Sequence, residues 1–103
     1  MIKKDDILDY LLSIKPYFSK KGIEYLGLFG SFVKNKNVIG SDIDIAIRIE
    51  KDFLSHHDSW DYFEVIEELK NMIYKKFGLK CDVFDLDSNS FIKKEVEKEV
   101  EFV

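Results

Sequence analysis

The segment from Asp42 to Ile49 constrains the fold more than any other, because it alternates strictly. Ile43, Ile45, Ile47 and Ile49 face one way, while Asp42, Asp44, Ala46 and Arg48 face the other. A period of two with branched aliphatics on one face defines a half-buried strand. The chain must therefore build a sheet that is covered on one side, with the acidic side of this strand left open. Two further runs read as strands: Ile23 to Phe29, which ends in the tight turn Gly30-Ser31, and Leu79 to Leu86, which contains Cys81, Asp82, Val83 and Phe84.

Helical spacing supplies the cover. From about Lys4 to Lys21, Ile7, Leu8, Leu11, Leu12 and Phe18 fall on one face. Pro16 is expected to kink or divide this helix, since its ring clashes with the carbonyl four residues back, and Gly22 suits the left-handed position after the helix end. Residues 50 to 58 are polar and aperiodic and read as a connection. Phe63, Ile66, Leu69, Ile73 and Phe77 then repeat at helical spacing, closed by Lys75, Lys76 and Gly78. Ser88 or Ser90 is placed to cap a last helix that buries Ile92, Val96 and Val100 and exposes its Lys/Glu-rich side. The order helix, strand, strand, helix, strand, helix predicts an α/β (α+β) fold, a small sheet with helices packed on it.

Size and charge narrow the function. With 103 residues the chain reads as one domain, residues 1–103, and its nine Phe, five Tyr and one Trp are needed chiefly for the core. Acidic residues outnumber basic ones 20 to 16, for a net charge of −4, so no basic field marks a nucleic-acid surface and such a partner is disfavoured. A single cysteine, Cys81, excludes an internal disulfide and a cysteine-rich zinc site. Nothing resembles a signal peptide or an apolar run of about 18 residues, so the expectation is a soluble cytoplasmic protein with no membrane association.

Chemistry concentrates on the acidic strand face. Asp42 and Asp44, two residues apart on one strand, point to the same side, roughly 6.5–7 Å apart along the chain. Should their oxygens approach to about 4 Å, repulsion is on the order of 4 kcal/mol at an effective dielectric of 20, which a proton or a divalent metal must relieve. Oxygen-only donors select a hard ion such as Mg²⁺, which keeps waters and is shared with substrate phosphates. Ser31, directly after Gly30 and a strand, lies 11 residues before Asp42. There a backbone turn opening a helix presents N–H groups and a hydroxyl to a phosphate.

The pattern Gly30-Ser31, nine residues, then Ser41-Asp42-Ile43-Asp44-Ile45 resembles the signature of the minimal nucleotidyltransferases of the DNA polymerase β superfamily. The likeness covers most of the chain, and Asp82, in Lys80-Cys81-Asp82-Val83-Phe84, matches the family's third carboxylate. Asp85 is the alternative if the register differs. The segment from Phe91 to Glu95 is similar to the group's short C-terminal helix. The resemblance implies a nucleotidyltransferase fold with a small mixed sheet. It also implies a two-metal transfer of AMP from ATP, or of another nucleoside monophosphate, to a hydroxyl, with release of pyrophosphate. Asp42, Asp44 and Asp82 would be the catalytic and Mg²⁺-binding residues. Gly30, Ser31, Lys34 and Ser41 would bind the nucleotide, with Lys36 an alternative source of positive charge. For small stand-alone members the implied biology is the MntA-type antitoxin, which adenylylates a HEPN-domain toxin encoded beside it. Where many relatives carry Arg or Lys followed by Gly, this chain reads Lys34-Asn35, and Asn tolerates left-handed backbone angles better than other non-Gly residues.

Two other functional readings share these residues: an antitoxin that neutralises its toxin by binding alone, and an adenylyltransferase acting on a small molecule of aminoglycoside type. His56-His57-Asp58, in a polar loop, reads as surface or helix cap, and Cys81 as a small buried hydrophobe. Trp60, Tyr62 and Phe63 read as core or partner interface. Edge strands and exposed aromatics in so small a domain leave room for a partner or a second copy of the chain.

Overall fold

In the computed structural model all residues except His57 are described, together with all side chains except those of Leu54 and His56. The alternating segment forms strand β2, Ile43–Ile49, and its four isoleucines are buried as the alternation requires. β1, Ile23–Phe29, pairs with it antiparallel, and β3, Cys81–Asp85, pairs with it parallel on the other side. A two-residue strand, β4, Glu101–Phe102, adds antiparallel to the free edge of β1 at Gly27 and Leu28. The sheet is mixed, with order β3-β2-β1-β4.

The helices are α1, Lys4–Ser19; α2, Lys51–His56; α3, Ser59–Phe77; and α4, Lys93–Glu99. Side chains of α1 (Ile7, Leu11, Ile14, Phe18) and α3 (Leu69, Ile73) close over the isoleucine face of β2 and form the main core. Each of these large apolar side chains contributes about 1.5–3 kcal/mol by leaving water. In β1 the core-facing residues are Ile23, Leu26 and Leu28. Their uneven spacing follows from a register shift between Ile23 and Tyr25, where a bulge exchanges the faces of the strand. The opposite face of the sheet carries a smaller cluster, in which Val96 of α4 covers Ala46 and Leu86, with Phe29, Phe84, Ile92 and Val100 around them.

Several sequence expectations are corrected here. Pro16 does not divide α1, which continues to Ser19. The carbonyl deprived of its donor belongs to Leu12, on the exposed side of the helix. Residues 50 to 58 are not a plain connection, since α2 forms within them; its anchor is Phe53, buried in the main core. Asp58 caps α3 by accepting the Asp61 N–H at 3.0 Å, while His57 lies outside the described residues. Phe63 is 52% exposed and drops out of the expected stripe of α3, whereas Leu69 and Ile73 are buried and Ile66 and Phe77 pack against the main core as the spacing predicts. No serine side chain caps α4 at its N-cap position, which is Ile92; Ser90 supports the preceding turn through its hydroxyl and carbonyl oxygens. Among the described residues no helix is long and apolar enough to cross a membrane.

Candidate active site

The polar face of β2 is divided. α4 covers it at Ala46, and Asp44, with Asp42 just ahead of the strand, lies beyond that cover. In the parallel ladder Asp44 is the register partner of Asp82, so the two carboxyl-bearing residues occupy adjacent positions on neighbouring strands. On the other side Asp44 pairs with Phe29, the last residue of β1, and Gly30 follows at once. Three separate segments, the ends of β1, β2 and β3, therefore meet at Asp44.

Gly30 has φ +84°, and a Cβ at this position would collide with the Asp44 carboxylate. The glycine is required twice, for its backbone angle and for the room it leaves the acid. After it the chain winds through turns: Lys34 N–H donates to the Gly30 carbonyl at 3.2 Å and Lys36 N–H to the Ser31 carbonyl at 2.9 Å. Phe32 anchors this loop in the main core. The helix expected after Ser31 does not form, because Asn35 takes the left-handed conformation at φ 56° and ends the winding. The sequence departure at Lys34-Asn35 is thus accommodated by the residue type that tolerates such an angle.

The electrostatics of the centre are those of an acid cluster. Burial first, and then the charges of Asp82, Asp42 and Glu99, push the Asp44 carboxyl up to about 6. The side chains are not drawn into a closed cage: among the described residues no group of three or more His, Cys, Asp or Glu has the arrangement of a metal site. The chemistry of the donor set nonetheless suits Mg²⁺, with oxygen donors alone and a partly buried carboxylate destabilised by acidic neighbours.

The remaining predicted residues have identifiable surroundings. Ser41 accepts the Val38 N–H on its hydroxyl at 2.8 Å and so closes the turn that leads into Asp42. Lys34 pairs with Glu99 at 2.8 Å, and Lys36 is exposed. Asp85 pairs with Ile47 farther along the ladder, where its carboxylate accepts the Tyr62 hydroxyl and the Asp87 N–H, both at 2.8 Å. The register thus puts Asp82, and not Asp85, beside Asp44. Cys81 is buried, and burial raises its thiol to about 12, so it is held protonated. Trp60 and Phe63 stack with ring centroids 5.9 Å apart on an exposed part of α3, whereas Tyr62 packs against the main core.

One residue of the site is absent from the sequence reading. Glu99, at the end of α4, accepts the Gly30 N–H at 3.1 Å as well as pairing with Lys34. Its only signal in the sequence is membership of a Lys/Glu-rich helix, which reads as solvated.

These features define a small α/β domain with an oxygen-donor acidic centre beside a glycine turn, at one end of a mixed sheet. Within that class, the chain belongs to the family described as "Polymerase beta, Nucleotidyltransferase", which matches residues 13–103, and it is a nucleotidyltransferase domain. Two relatives come from Methanocaldococcus jannaschii, and both are named "Putative protein adenylyltransferase". One is 29% identical over 86 residues, covering 82% of this chain and 80% of its own length. The other is 28% identical over 101 residues, covering 95% of each. Among solved structures, a toxin–antitoxin with AMP-PNP aligns with TM-score 0.62 at 20% identity, over 98% of this chain and 72% of that one. A mutant of the MntA-HpeT toxin–antitoxin aligns with TM-score 0.58 at 19% identity, over 98% and 71%. At these identities the structural likeness establishes the fold.

Proposed function

We propose that this domain moves AMP from ATP to a hydroxyl of a partner protein, a HEPN-type toxin encoded nearby, and thereby acts as a cytoplasmic antitoxin. The observation that carries the reading is the register pair Asp44 and Asp82 beside the Gly30 turn. The names of the two archaeal relatives support the transferase chemistry, and the toxin–antitoxin structures of like fold support the kind of partner.

Asp42, Asp44 and Asp82 would hold two Mg²⁺ ions, which supply charge neutralisation and Lewis-acid polarisation of the phosphates when bound. The chain's own residues position and move protons. The acceptor oxygen attacks the α-phosphorus, the bond from that phosphorus to the β-phosphate oxygen breaks, and pyrophosphate leaves. Asp82, exposed at the rim of the sheet, accepts the hydroxyl proton. Turn amides and the Ser31 hydroxyl grip the phosphate tail, and Lys34 adds a positive charge beside it. Ser41 shapes the turn that delivers Asp42 to the strand.

The test is transfer of label from α-labelled ATP to the co-expressed toxin. Label on the toxin that requires Mg²⁺ and disappears with Asp44→Asn supports the proposal. Neutralisation that survives Asp42→Asn without any label would establish the binding-only antitoxin instead, and label on an aminoglycoside with none on protein would establish the small-molecule reading.

A further inference from the structure

At the Gly30 turn a carboxylate of the chain already occupies the position of an anion. Glu99 Oε1 accepts the Gly30 N–H at 3.1 Å and its Oε2 lies 2.8 Å from Lys34 Nζ. One backbone amide and one ammonium converging on two oxygens are the donors a terminal phosphate would use. Glu99 sits at the C-terminal end of α4, where the helix carbonyls disfavour negative charge, so its seat is set by the turn and not by the helix. Its charge also acts unfavourably on Asp44. The Lys34 ammonium is held above its ordinary range, first by the hydrogen bond to Glu99 and then by that residue's charge.

We propose that Glu99 is an internal competitor for the phosphate seat: a polyphosphate entering the Gly30–Asn35 turn displaces its carboxylate from Gly30 and Lys34. The inference rests on the reading that this turn receives a triphosphate. It goes further in assigning a cost to nucleotide entry and in linking that entry to the C-terminal segment. Apparent phosphate affinity is lowered by the fraction of molecules in which Glu99 is seated. When the carboxylate leaves, α4 loses this polar tether to the turn and keeps the apolar contacts of Val96 and its neighbours with Ala46 and Leu86. β4 follows α4 directly, so the edge of the sheet next to β1 is coupled to what the turn holds.

The experiment is calorimetric titration with inorganic tripolyphosphate in metal-free buffer, on the full chain and on Glu99→Gln and Lys34→Gln, with amide hydrogen exchange of α4 and β4 alongside. Glu99→Gln keeps the shape and removes the competing charge, and is expected to tighten binding by about tenfold. Lys34→Gln is expected to weaken it. Saturating tripolyphosphate should speed exchange of α4 and β4 in the unmodified chain, a readout that needs no variant to fold. Equal or weaker binding by Glu99→Gln, exchange that does not change, or no tripolyphosphate binding at millimolar concentration each overturns the proposal. A role confined to holding α4 in place would lower the melting temperature of Glu99→Gln and leave its affinity unaltered. Because the titration involves no transfer, tighter binding by Glu99→Gln in a chain that moves no AMP overturns the transferase reading alone. Unaltered affinity beside full transfer overturns the competitor alone.

Discussion

Asp44 and Asp82 are direct register partners on parallel strands, so the fold places two carboxylates side by side in its own sheet. Neighbouring strands lie about 4.8 Å apart, and like charges at opposed positions destabilise a ladder. Either side chain could be replaced by an uncharged residue without disturbing the isoleucine face, which points the other way. The sheet therefore carries an electrostatic cost that packing does not require, and a bound cation would offset it.

The two candidate third carboxylates separate by substitution. Asp82→Asn removes the partner of Asp44 and is expected to reduce transfer by about a hundredfold or more, the range for a lost acid–base group, while leaving the melting temperature equal or higher. Asp85→Asn weakens a charged acceptor for the Tyr62 hydroxyl and the Asp87 N–H. It should lower stability by about 1–2 kcal/mol and leave transfer within a few-fold. Initial rates with labelled ATP, paired with urea denaturation, check both.

The Asp44 carboxyl gives the protein a particular response to pH. Its folded-state value, about 6, lies above the unfolded 3.8, so between these values the folded chain binds the extra proton more strongly. The contribution of this group is most favourable below about 4 and is lost as pH rises through about 6. Metal-free protein should therefore lose part of its stability across that window, whereas Mg²⁺ affinity should rise across it, because the ion competes with the same proton. Thermal melts from pH 4 to 7, with chelator and with excess Mg²⁺, should differ in slope; parallel curves would show that the ion does not meet Asp44.

The sequence revealed those parts of the structure whose cause is local. The period of two from Ile43 to Ile49 and the spacing of Leu69 and Ile73 express burial against a single surface, and the elements they specify are present. What escaped was non-local. β4 is two residues long and exists because β1 offers a free edge at Gly27 and Leu28. Ala46 belongs to the face read as open, yet it is covered, because α4 returns across the sheet to place Val96 on it. Glu99 reads as one more acid on a solvated helix until that return sets it against Gly30. Asp42 and Asp44 could be found from spacing on one strand, but the choice between Asp82 and Asp85 depends on ladder register, which no single strand encodes.

Gly30 can be tested against another glycine of similar backbone. Gly30 and Gly40 have φ +84° and +88°, but a Cβ on Gly40 meets nothing within 4 Å, whereas one on Gly30 collides with the Asp44 carboxylate. Gly40→Ala should cost only the backbone strain, about 1 kcal/mol, and Gly30→Ala distinctly more, about 2–3 kcal/mol. Combined with Asp44→Ala, which removes the carboxylate, Gly30→Ala should recover part of the difference. Denaturant midpoints of the parent, Gly30→Ala, Asp44→Ala and their combination form the cycle, with Gly40→Ala as the reference, and equal costs at the two glycines would mean that the Asp44 carboxylate does not press on the turn.

Asp44→Asn brings function and stability into direct opposition. At neutral pH the ionised side chain is held in a partly buried position among Asp42, Asp82 and Glu99, which is why its carboxyl titrates near 6. Asparagine has the same shape and no charge, so the metal-free variant should be more stable than the parent, by about 1–2 kcal/mol once solvent screening of this half-exposed group is allowed for. Transfer should fall by about a thousandfold, because the neutral amide cannot neutralise a cation that several kcal/mol of transition-state stabilisation depend on. The stabilisation should disappear when the comparison is made in excess Mg²⁺, since the parent then gains binding energy that the variant lacks. Urea midpoints measured with chelator and with Mg²⁺ decide the matter: a variant that is less stable than the parent in chelator would show that Asp44 contributes to the fold through contacts of its own rather than bearing a cost for the site.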